Sequence, residues 1–142
     1  MSKRIIIVGG GRVGHHAAAE LVPDKYTVTV VERDPEQCSS FPGHLAHGIV
    51  GGDGTDPEVF ERADPASAAA VLAVTDNVET NLAVCELAKE YSEDIWTMVR
   101  IARDGEQDYA HLGHVDNVIY PPAIAAKVAV ERVEANLSSS SE

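Results

Sequence analysis

The residues best suited to chemistry are three glycines, Gly9, Gly11 and Gly14, which form the pattern G-x-G-x-x-G. They follow an apolar run at residues 5–8 and precede a segment with helical spacing. In that context Gly9 permits a tight turn, Gly11 lets the backbone approach a pyrophosphate, and Gly14 lets a helix lie close to the strand. The N–H groups and positive dipole end of that helix would bind the phosphates. The pattern alone is weak, and a structural turn is the alternative.

Glu32 is the second candidate binding residue. It follows Gly14 by 18 residues, at the predicted end of the second strand. A carboxylate there accepts hydrogen bonds from both ribose hydroxyls of an adenosine and repels a 2′-phosphate. Arg33 complicates this prediction because an arginine beside that position can hold a 2′-phosphate, but we expect Glu32 to dominate. NADP is therefore disfavoured, and Arg33 is expected at the surface or over the adenine face.

Two further polar segments follow the third and fourth predicted strands, G-G-D-G-T-D at residues 51–56 and T-D-N at residues 75–77. Ligands bind at the carboxyl ends of the strands in a doubly wound sheet, so both segments are expected at the site. Asp53 could accept a hydrogen bond from the adenine amino group, and Thr75 could face the pyrophosphate or the distal sugar. For Asp76, capping of the next helix and contact with the ligand are equally good interpretations.

These residues need a scaffold, which the hydrophobic pattern supplies. Strands are predicted at residues 5–8, 27–31, 48–51, 69–74, 96–101 and 117–120, and helices at residues 13–21, 36–41, 57–63, 78–91, 105–112 and 122–137. Such alternation is typical of a parallel sheet with helices on both faces. We predict an α/β, doubly wound parallel sheet of six strands in the order 3-2-1-4-5-6, formed by residues 1–137, and a disordered serine-rich tail at residues 138–142.

Length, composition and charge exclude several classes of function. The 142 residues suit one domain. No apolar run is long enough to span a bilayer and no signal peptide is present, which predicts a cytoplasmic protein without membrane insertion. The net charge of −12 disfavours nucleic-acid binding. Such acidity indicates either a solvated, self-repelling surface or adaptation to a high-salt cytoplasm.

Other potentially reactive residues do not form a recognisable site. Cys38 and Cys85 form no C-x-x-C pair and are interpreted as packing residues. The histidine pairs 44/47 and 111/114 have a spacing that could share a metal on a helix, but no third ligand is near in sequence. No metal site and no catalytic residue are predicted.

The last predicted helix carries a narrow apolar seam with intervals of three and four residues, formed by Ala123, Ala126, Val130, Val133 and Leu137. Helices use seams of this kind to pair. Ile124 and Val128 lie to one side and are expected to pack on the parent sheet. We therefore predict that the seam is an assembly interface. The alternative is that both stripes are buried within one domain.

Together these motifs resemble the TrkA N-terminal family, the RCK or KTN nucleotide-binding domains that regulate potassium transporters and channels. The matching stretches are the glycine motif, V-V-E-R-D at residues 30–34, G-D-G-T-D-P-E at 52–58, V-T-D-N-V-E-T-N-L at 74–82, and residues 112–121. The resemblance extends over residues 5–137. No companion domain follows it in this sequence, which suggests a stand-alone subunit or an excised fragment.

The resemblance implies a regulatory subunit or domain of a potassium uptake system or channel. It would bind NAD or NADH, or alternatively ATP or ADP, without turning the nucleotide over. Arg100 would reach a phosphate and Arg12 would help to hold a terminal phosphate. The expected cofactor contacts also include Gly10, Val13 and Gly54.

The implied partners are a membrane-embedded potassium transporter or channel subunit, which would hold the protein at the inner face of the cell membrane, and further copies of the chain. Such domains form dimers and rings through their last helix. The alternative function is an NAD-dependent oxidoreductase or its cofactor domain, which would need a substrate domain that this length cannot hold. A structural module with a decayed site is the third interpretation.

Overall fold

Six parallel strands form one sheet in the order β3-β2-β1-β4-β5-β6, in a computed structural model that describes residues 3–21, 25–41, 48–105, 108–109 and 111–140. The strands are β1 Lys3–Val8, β2 Tyr26–Glu32, β3 Ile49–Gly51, β4 Ala68–Ala73, β5 Trp96–Arg100 and β6 Asn117–Ile119. The helices are α1 Arg12–Glu20, α2 Pro35–Ser39, α3 Pro57–Glu61, α4 Val78–Tyr91 and α5 Pro121–Ser140, with a 3₁₀ helix at Pro65–Ser67. The predicted fold class and strand order are confirmed.

The central strand β1 is buried on both faces. Ile6 packs with residues of α3 and α4 in one apolar cluster, whereas Ile7 packs with residues of α1 in a second cluster. Both side chains have no exposed surface. Because alternate residues of a strand point to opposite faces, a continuous apolar run is what a strand between two helical layers requires.

Between β5 and β6 the structure differs from the predicted helix at residues 105–112. Residues 106, 107 and 110 lie outside the described part of the chain. The described residues of that stretch lie in turns and a 3₁₀ step, with Asp108 N–H donating to Gly105 O and Leu112 N–H donating to Tyr109 O. Tyr109 and Leu112 nevertheless pack against the apolar cluster on the α4 side of the sheet. These apolar residues are therefore partly buried from turns and not from the predicted helix.

The helix α5 extends away from the sheet, contrary to one prediction. Ile124 and Val128 were expected to pack on the parent sheet, but they are 50% and 36% exposed. Val130 and Val133 are 54% and 56% exposed. The seam and the neighbouring side chains of Ile124 and Val128 therefore remain at the surface, because α5 leaves the sheet directly after β6 and does not fold back onto it.

The predicted disordered tail is also partly wrong. The helix α5 continues through Ser140, and residues 141 and 142 lie outside the described residues. No glycine or proline follows Pro122 to end the helix, and serine costs only a few tenths of a kcal/mol per residue, roughly, in a helix.

The glycine loop brings α1 close to β1. Gly9 has a positive φ of 116°, which residues other than glycine rarely adopt. At Gly14, an added Cβ would lie 1.8 Å from the Gly9 carbonyl oxygen. The beginning of α1 is therefore held over the end of β1 by backbone contact that no side chain would permit.

We expect Gly14→Ala to destabilise the chain by at least about 1–3 kcal/mol, because the new methyl group must displace the Gly9 carbonyl. Gly113→Ala is the matched control, since a Cβ there meets no atom within 4 Å, and its free energy of unfolding should stay within about 0.5 kcal/mol of the unaltered chain. Urea denaturation followed by circular dichroism measures both. Equal stability of the two variants would contradict this account of the loop.

Candidate functional site

A cavity of about 470 Å³ opens at the carboxyl ends of the strands, on the edge where the predicted binding segments were expected. Of the predicted contacts, eleven line it: Gly9, Gly11, Arg12, Val13, Glu32, Arg33, Asp53, Gly54, Thr75, Asp76 and Arg100. Gly10 and Gly14 do not line it. The topology thus brings together residues from five separate segments of the chain.

The first turn of α1 faces this cavity without a cap. Gly11 occupies the N-cap position with no side-chain hydrogen bond, and the first turn contains no acidic residue. In contrast, α2, α3 and α4 are capped by Asp34, Asp56 and Asn77. The first N–H groups of α1 therefore have no intrahelical or capping partner. Such an end is suited to an anion, which the exposed Arg12 in the same turn would also attract.

Glu32 lies across from this turn and is hydrogen-bonded to the loop itself. Its Oε1 accepts from the Gly10 N–H, and its Oε2 accepts from the Asp34 N–H at 2.8 Å. Each oxygen retains a lone pair for a further donor. Gly10 therefore holds Glu32 rather than lining the cavity, and a Cβ on Gly10 would meet Phe41 and Glu32 at 2.9 and 3.0 Å.

Asp53 is fixed in the loop after β3. Its Oδ1 accepts from the Thr55 N–H at 2.9 Å and from the Thr55 hydroxyl at 2.8 Å. The backbone N–H and the hydroxyl of Thr55, together with the charge of Arg33, hold the pKa of Asp53 below its ordinary value. This carboxylate is therefore ionised at neutral pH and can accept a hydrogen bond. The buried Gly54 lies beneath it, where a Cβ would meet Val8 at 2.7 Å.

At the end of β4, the capping role belongs to Asn77 and not to Asp76. The Asn77 Oδ1 accepts from the Thr80 N–H at 2.9 Å, so the first turn of α4 is already satisfied. Asp76 is exposed and lines the cavity. Of the two interpretations of Asp76, capping is wrong, and contact with a ligand stays a prediction.

The sequence reasoning missed Asn81, a fully buried side chain behind the cavity. Its Oδ1 accepts from the Thr75 N–H at 3.0 Å and from the Thr75 hydroxyl at 2.6 Å. Its Nδ2 donates to Thr75 O at 3.1 Å and to Arg100 O at 2.9 Å. A signal was present, since Asn81 is three residues after Val78 and four before Cys85. A polar residue thus occupies the apolar face of α4.

Arg100 completes the wall of the cavity at the end of β5. Its side chain is half-buried, and Nη1 donates to Val74 O at 3.3 Å. A guanidinium group has five N–H donors, so most remain for an anion. The cavity lining thus includes three arginines, Arg12, Arg33 and Arg100, beside four carboxylates, those of Glu32, Asp34, Asp53 and Asp76.

The histidine pairs 44/47 and 111/114 were considered above as metal ligands. No group of three or more His, Cys, Asp or Glu side chains that could hold a metal ion occurs within the described residues. His44 and His47 lie outside the described residues.

Cys85 is buried, and burial raises the pKa of its thiol to about 12, which suits a packing residue. None of the described helices is long and apolar enough to cross a membrane.

Comparisons with known proteins agree with this geometry. Residues 5–121 match the TrkA-N domain family. The Trk system potassium uptake protein TrkA homologue of Methanothermobacter thermautotrophicus is 35% identical over 123 residues, which cover 86% of this chain and 56% of that protein. The homologue of Pyrococcus horikoshii is 32% identical over 127 residues, with the same coverage of 86% and 56%. This chain thus spans about half the length of these curated relatives.

Solved structures share the fold at lower identity. The TrkA-N domain of inner membrane protein ybaL from Escherichia coli superposes with a TM-score of 0.77 at 19% identity, covering 92% of this chain and 96% of that one. The Kef C-terminal domain of Shewanella denitrificans in its AMP-bound form gives 0.73 at 21%, covering 94% and 81%. The GsuK channel bound to NAD gives 0.67 at 17%, covering 84% and 21%.

The family match covers residues 5–121, most of the chain, and a solved TrkA-N domain shares its fold. The curated relatives at 35% and 32% identity are named as Trk system potassium uptake protein TrkA homologues. This chain belongs to the TrkA-N domain family.

Proposed function

We propose that this chain is the regulatory nucleotide-binding part of a potassium uptake system or channel, and that exchange of the bound nucleotide changes its assembly. The observation that carries the proposal is one cavity lined both by an uncapped helix end and by a backbone-held carboxylate, that of Glu32. The first suits phosphates and the second suits ribose hydroxyls. The relatives named as Trk potassium uptake proteins supply the transport context.

The proposed ligand is NAD or NADH, or alternatively ATP or ADP. Its phosphates would lie on the N–H groups of the first turn of α1, with Arg12 and Arg100 nearby. Glu32 would accept from the ribose hydroxyls, and the ionised Asp53 would accept from the adenine amino group. The AMP-bound Kef domain and the NAD-bound GsuK channel support a ligand with an adenosine moiety.

In this proposal the nucleotide is bound and released without turnover. Two of the polar candidates for acid–base chemistry in the cavity, Thr75 and Arg100, already have partners. The Thr75 hydroxyl donates to Asn81 Oδ1, and Arg100 donates to Val74 O. An NAD-dependent oxidoreductase is the alternative, since the sheet order is shared with such enzymes.

Mass spectrometry of nucleotide released from the purified protein, followed by calorimetric titration with NAD, ADP and ATP, tests the proposal. We expect an adenine nucleotide in the released fraction and saturable binding by the emptied protein. Absence of binding to all three ligands would overturn it. Steady conversion of NAD to NADH in the presence of a small substrate would favour the oxidoreductase.

Glu32→Ala should weaken NAD or ATP binding by at least about tenfold, because two charge-assisted hydrogen bonds at about 1.5–3 kcal/mol each are lost. Glu36→Ala is the matched control, since Glu36 is an exposed acid in the first turn of α2 that does not line the cavity. Calorimetry compares the two variants. An unchanged affinity in Glu32→Ala would contradict the ribose role.

NADP should bind the unaltered chain at least about tenfold more weakly than NAD. The added 2′-phosphate would face the carboxylate of Glu32, which its two backbone donors hold in place. Equal affinities would show that Arg33 governs this part of the cavity.

Arg12→Gln should reduce the affinity for ATP more than for ADP or AMP, because only the longest ligand reaches this exposed side chain at the cavity mouth. Arg103→Gln removes the same charge from an exposed position outside the cavity lining and serves as the control. Titration of each variant with the three nucleotides measures the difference. Equal losses for all three would assign Arg12 to general electrostatics.

We also infer that α5 is the surface through which copies of the chain assemble. Most of the stability of a helix in a protein comes from packing of its apolar face, and the 20-residue helix α5 obtains little such packing from its own domain. Its apolar side chains Val130 and Val133 are more than half exposed. A second copy of the chain presents the same apolar stripe of α5. In a symmetric pair the two stripes pack against each other, so both are buried at once. Such assemblies would transmit the nucleotide state to a membrane-embedded transporter or channel subunit at the inner face of the membrane.

Val130→Glu with Val133→Glu should convert the assembled protein to a monomer that still binds nucleotide, because no residue of α5 lines the cavity. Lys127→Glu is the charge-matched control, since it shifts the net charge by −2, as the double substitution does. Light scattering at tens of micromolar is the measurement. A monomeric unaltered chain would refute the interface, and a dimeric double variant would place it elsewhere.

A further inference from the structure

Asn81 connects the ends of two adjacent strands, β4 and β5, whose residues line the cavity. Three of the four hydrogen bonds of its side chain join it to Thr75, after β4, and the fourth joins it to Arg100 O, at the end of β5. Thr75 and Arg100 both line the cavity, whereas Asn81 does not. The side chain therefore acts on the cavity only through these two neighbours.

The hydrogen bonds close a ring. The Arg100 guanidinium donates to Val74 O, Val74 precedes Thr75 in the chain, Thr75 bonds to the Asn81 amide, and that amide donates to Arg100 O. Both the main chain and the side chain of Arg100 are thereby tied to the end of β4. A network whose buried groups are all satisfied is rigid, so Arg100 has a defined place before any ligand arrives.

We propose that Asn81 is a positioning residue that holds Arg100 and Thr75 in place for the phosphates of the nucleotide. The inference rests on the proposed function, because it concerns the same cavity. It goes beyond that function by assigning phosphate affinity to a side chain that no ligand can touch.

Only an amide meets the requirements of this position. Its oxygen must accept from the Thr75 N–H and hydroxyl, and its nitrogen must donate to two carbonyl groups, Thr75 O and Arg100 O. An aspartate would keep the acceptor but would turn a second acceptor toward those carbonyls. An apolar side chain would leave buried donors and acceptors unpaired.

The test compares a ligand that has phosphates with one that lacks them, ADP and adenosine, by chemical-shift titration of the purified chain. In Asn81→Ala the dissociation constant for ADP should rise about tenfold or more, as for loss of one charge-assisted bond. That for adenosine should stay within about twofold, because the ribose and adenine contacts lie on β2 and the loop after β3. An equal loss for both ligands would overturn the inference.

The matched control is Thr97→Val. Thr97 is an equally buried polar residue on β5, and its hydroxyl donates to His114 O, outside the cavity. We expect Thr97→Val to lower the melting temperature while ADP affinity stays within about twofold. A similar loss of ADP affinity in this control would show that general destabilisation explains the effect, and would overturn the inference.

A double-mutant cycle with Arg100→Gln separates positioning from stability. Because Asn81 acts through Arg100 as well as Thr75, adding Asn81→Ala to Arg100→Gln should weaken ADP binding by a smaller factor than Asn81→Ala does in the unaltered chain, since only the contribution through Thr75 remains. Fully additive losses would contradict the proposal. Should Asn81→Ala not fold, Asn81→Ser replaces it throughout, since serine adds no charge and its single hydroxyl cannot make the four hydrogen bonds of the amide.

The two proposals fail in different ways. If the unaltered chain binds neither ADP nor adenosine, the proposed function is wrong and this inference falls with it. If the unaltered chain binds ADP but the losses are additive, only the role of Asn81 is wrong.

Discussion

The close contact between α1 and the end of β1 is the constraint on which the rest of the site depends. With Gly14 against the Gly9 carbonyl, the first turn of the helix lies directly over the carboxyl edge of the sheet. Its uncapped N–H groups then open into the cavity. Because backbone meets backbone there, the position of the helix end does not depend on side-chain rotamers. The hydrogen bond from Gly10 to Glu32 joins the neighbouring strand to the same loop.

Charge is distributed unevenly over this acidic chain. The net charge is −12, which repels anions at long range at low ionic strength. The cavity lining nevertheless places Arg12, Arg33 and Arg100 beside an uncapped helix end, although four carboxylates line it as well. Salt screens the long-range repulsion, whereas contacts within the cavity are screened less. Binding of an anionic nucleotide by such a chain therefore depends on these local groups.

The cavity and the exposed helix are joined by a short path of paired backbone. Arg100 pairs with Ile119 of β6, and the Ile101 N–H donates to Ile119 O at 2.9 Å. The helix α5 begins at Pro121, two residues after Ile119. A displacement of the end of β5 would therefore reach the base of α5 through adjacent hydrogen bonds. This path provides a physical route for the proposed coupling between nucleotide and assembly.

The sequence by itself determined the fold class, the strand order and most of the cavity lining. Its signals were local: a continuous apolar run for a strand covered on both faces, glycines before a helix, and an acid at the end of β2. Tertiary structure alone decided which group each polar side chain meets. Asn77 rather than Asp76 caps α4, Gly10 holds Glu32, and Asn81 joins strand ends that are separated by α4. Tertiary structure also left α5 exposed. The apolar stripes of α5 indicate that the helix is buried against a partner. Whether that partner is the same chain or a second copy depends on the direction in which the chain leaves β6. The spacing of residues along one helix does not encode that direction.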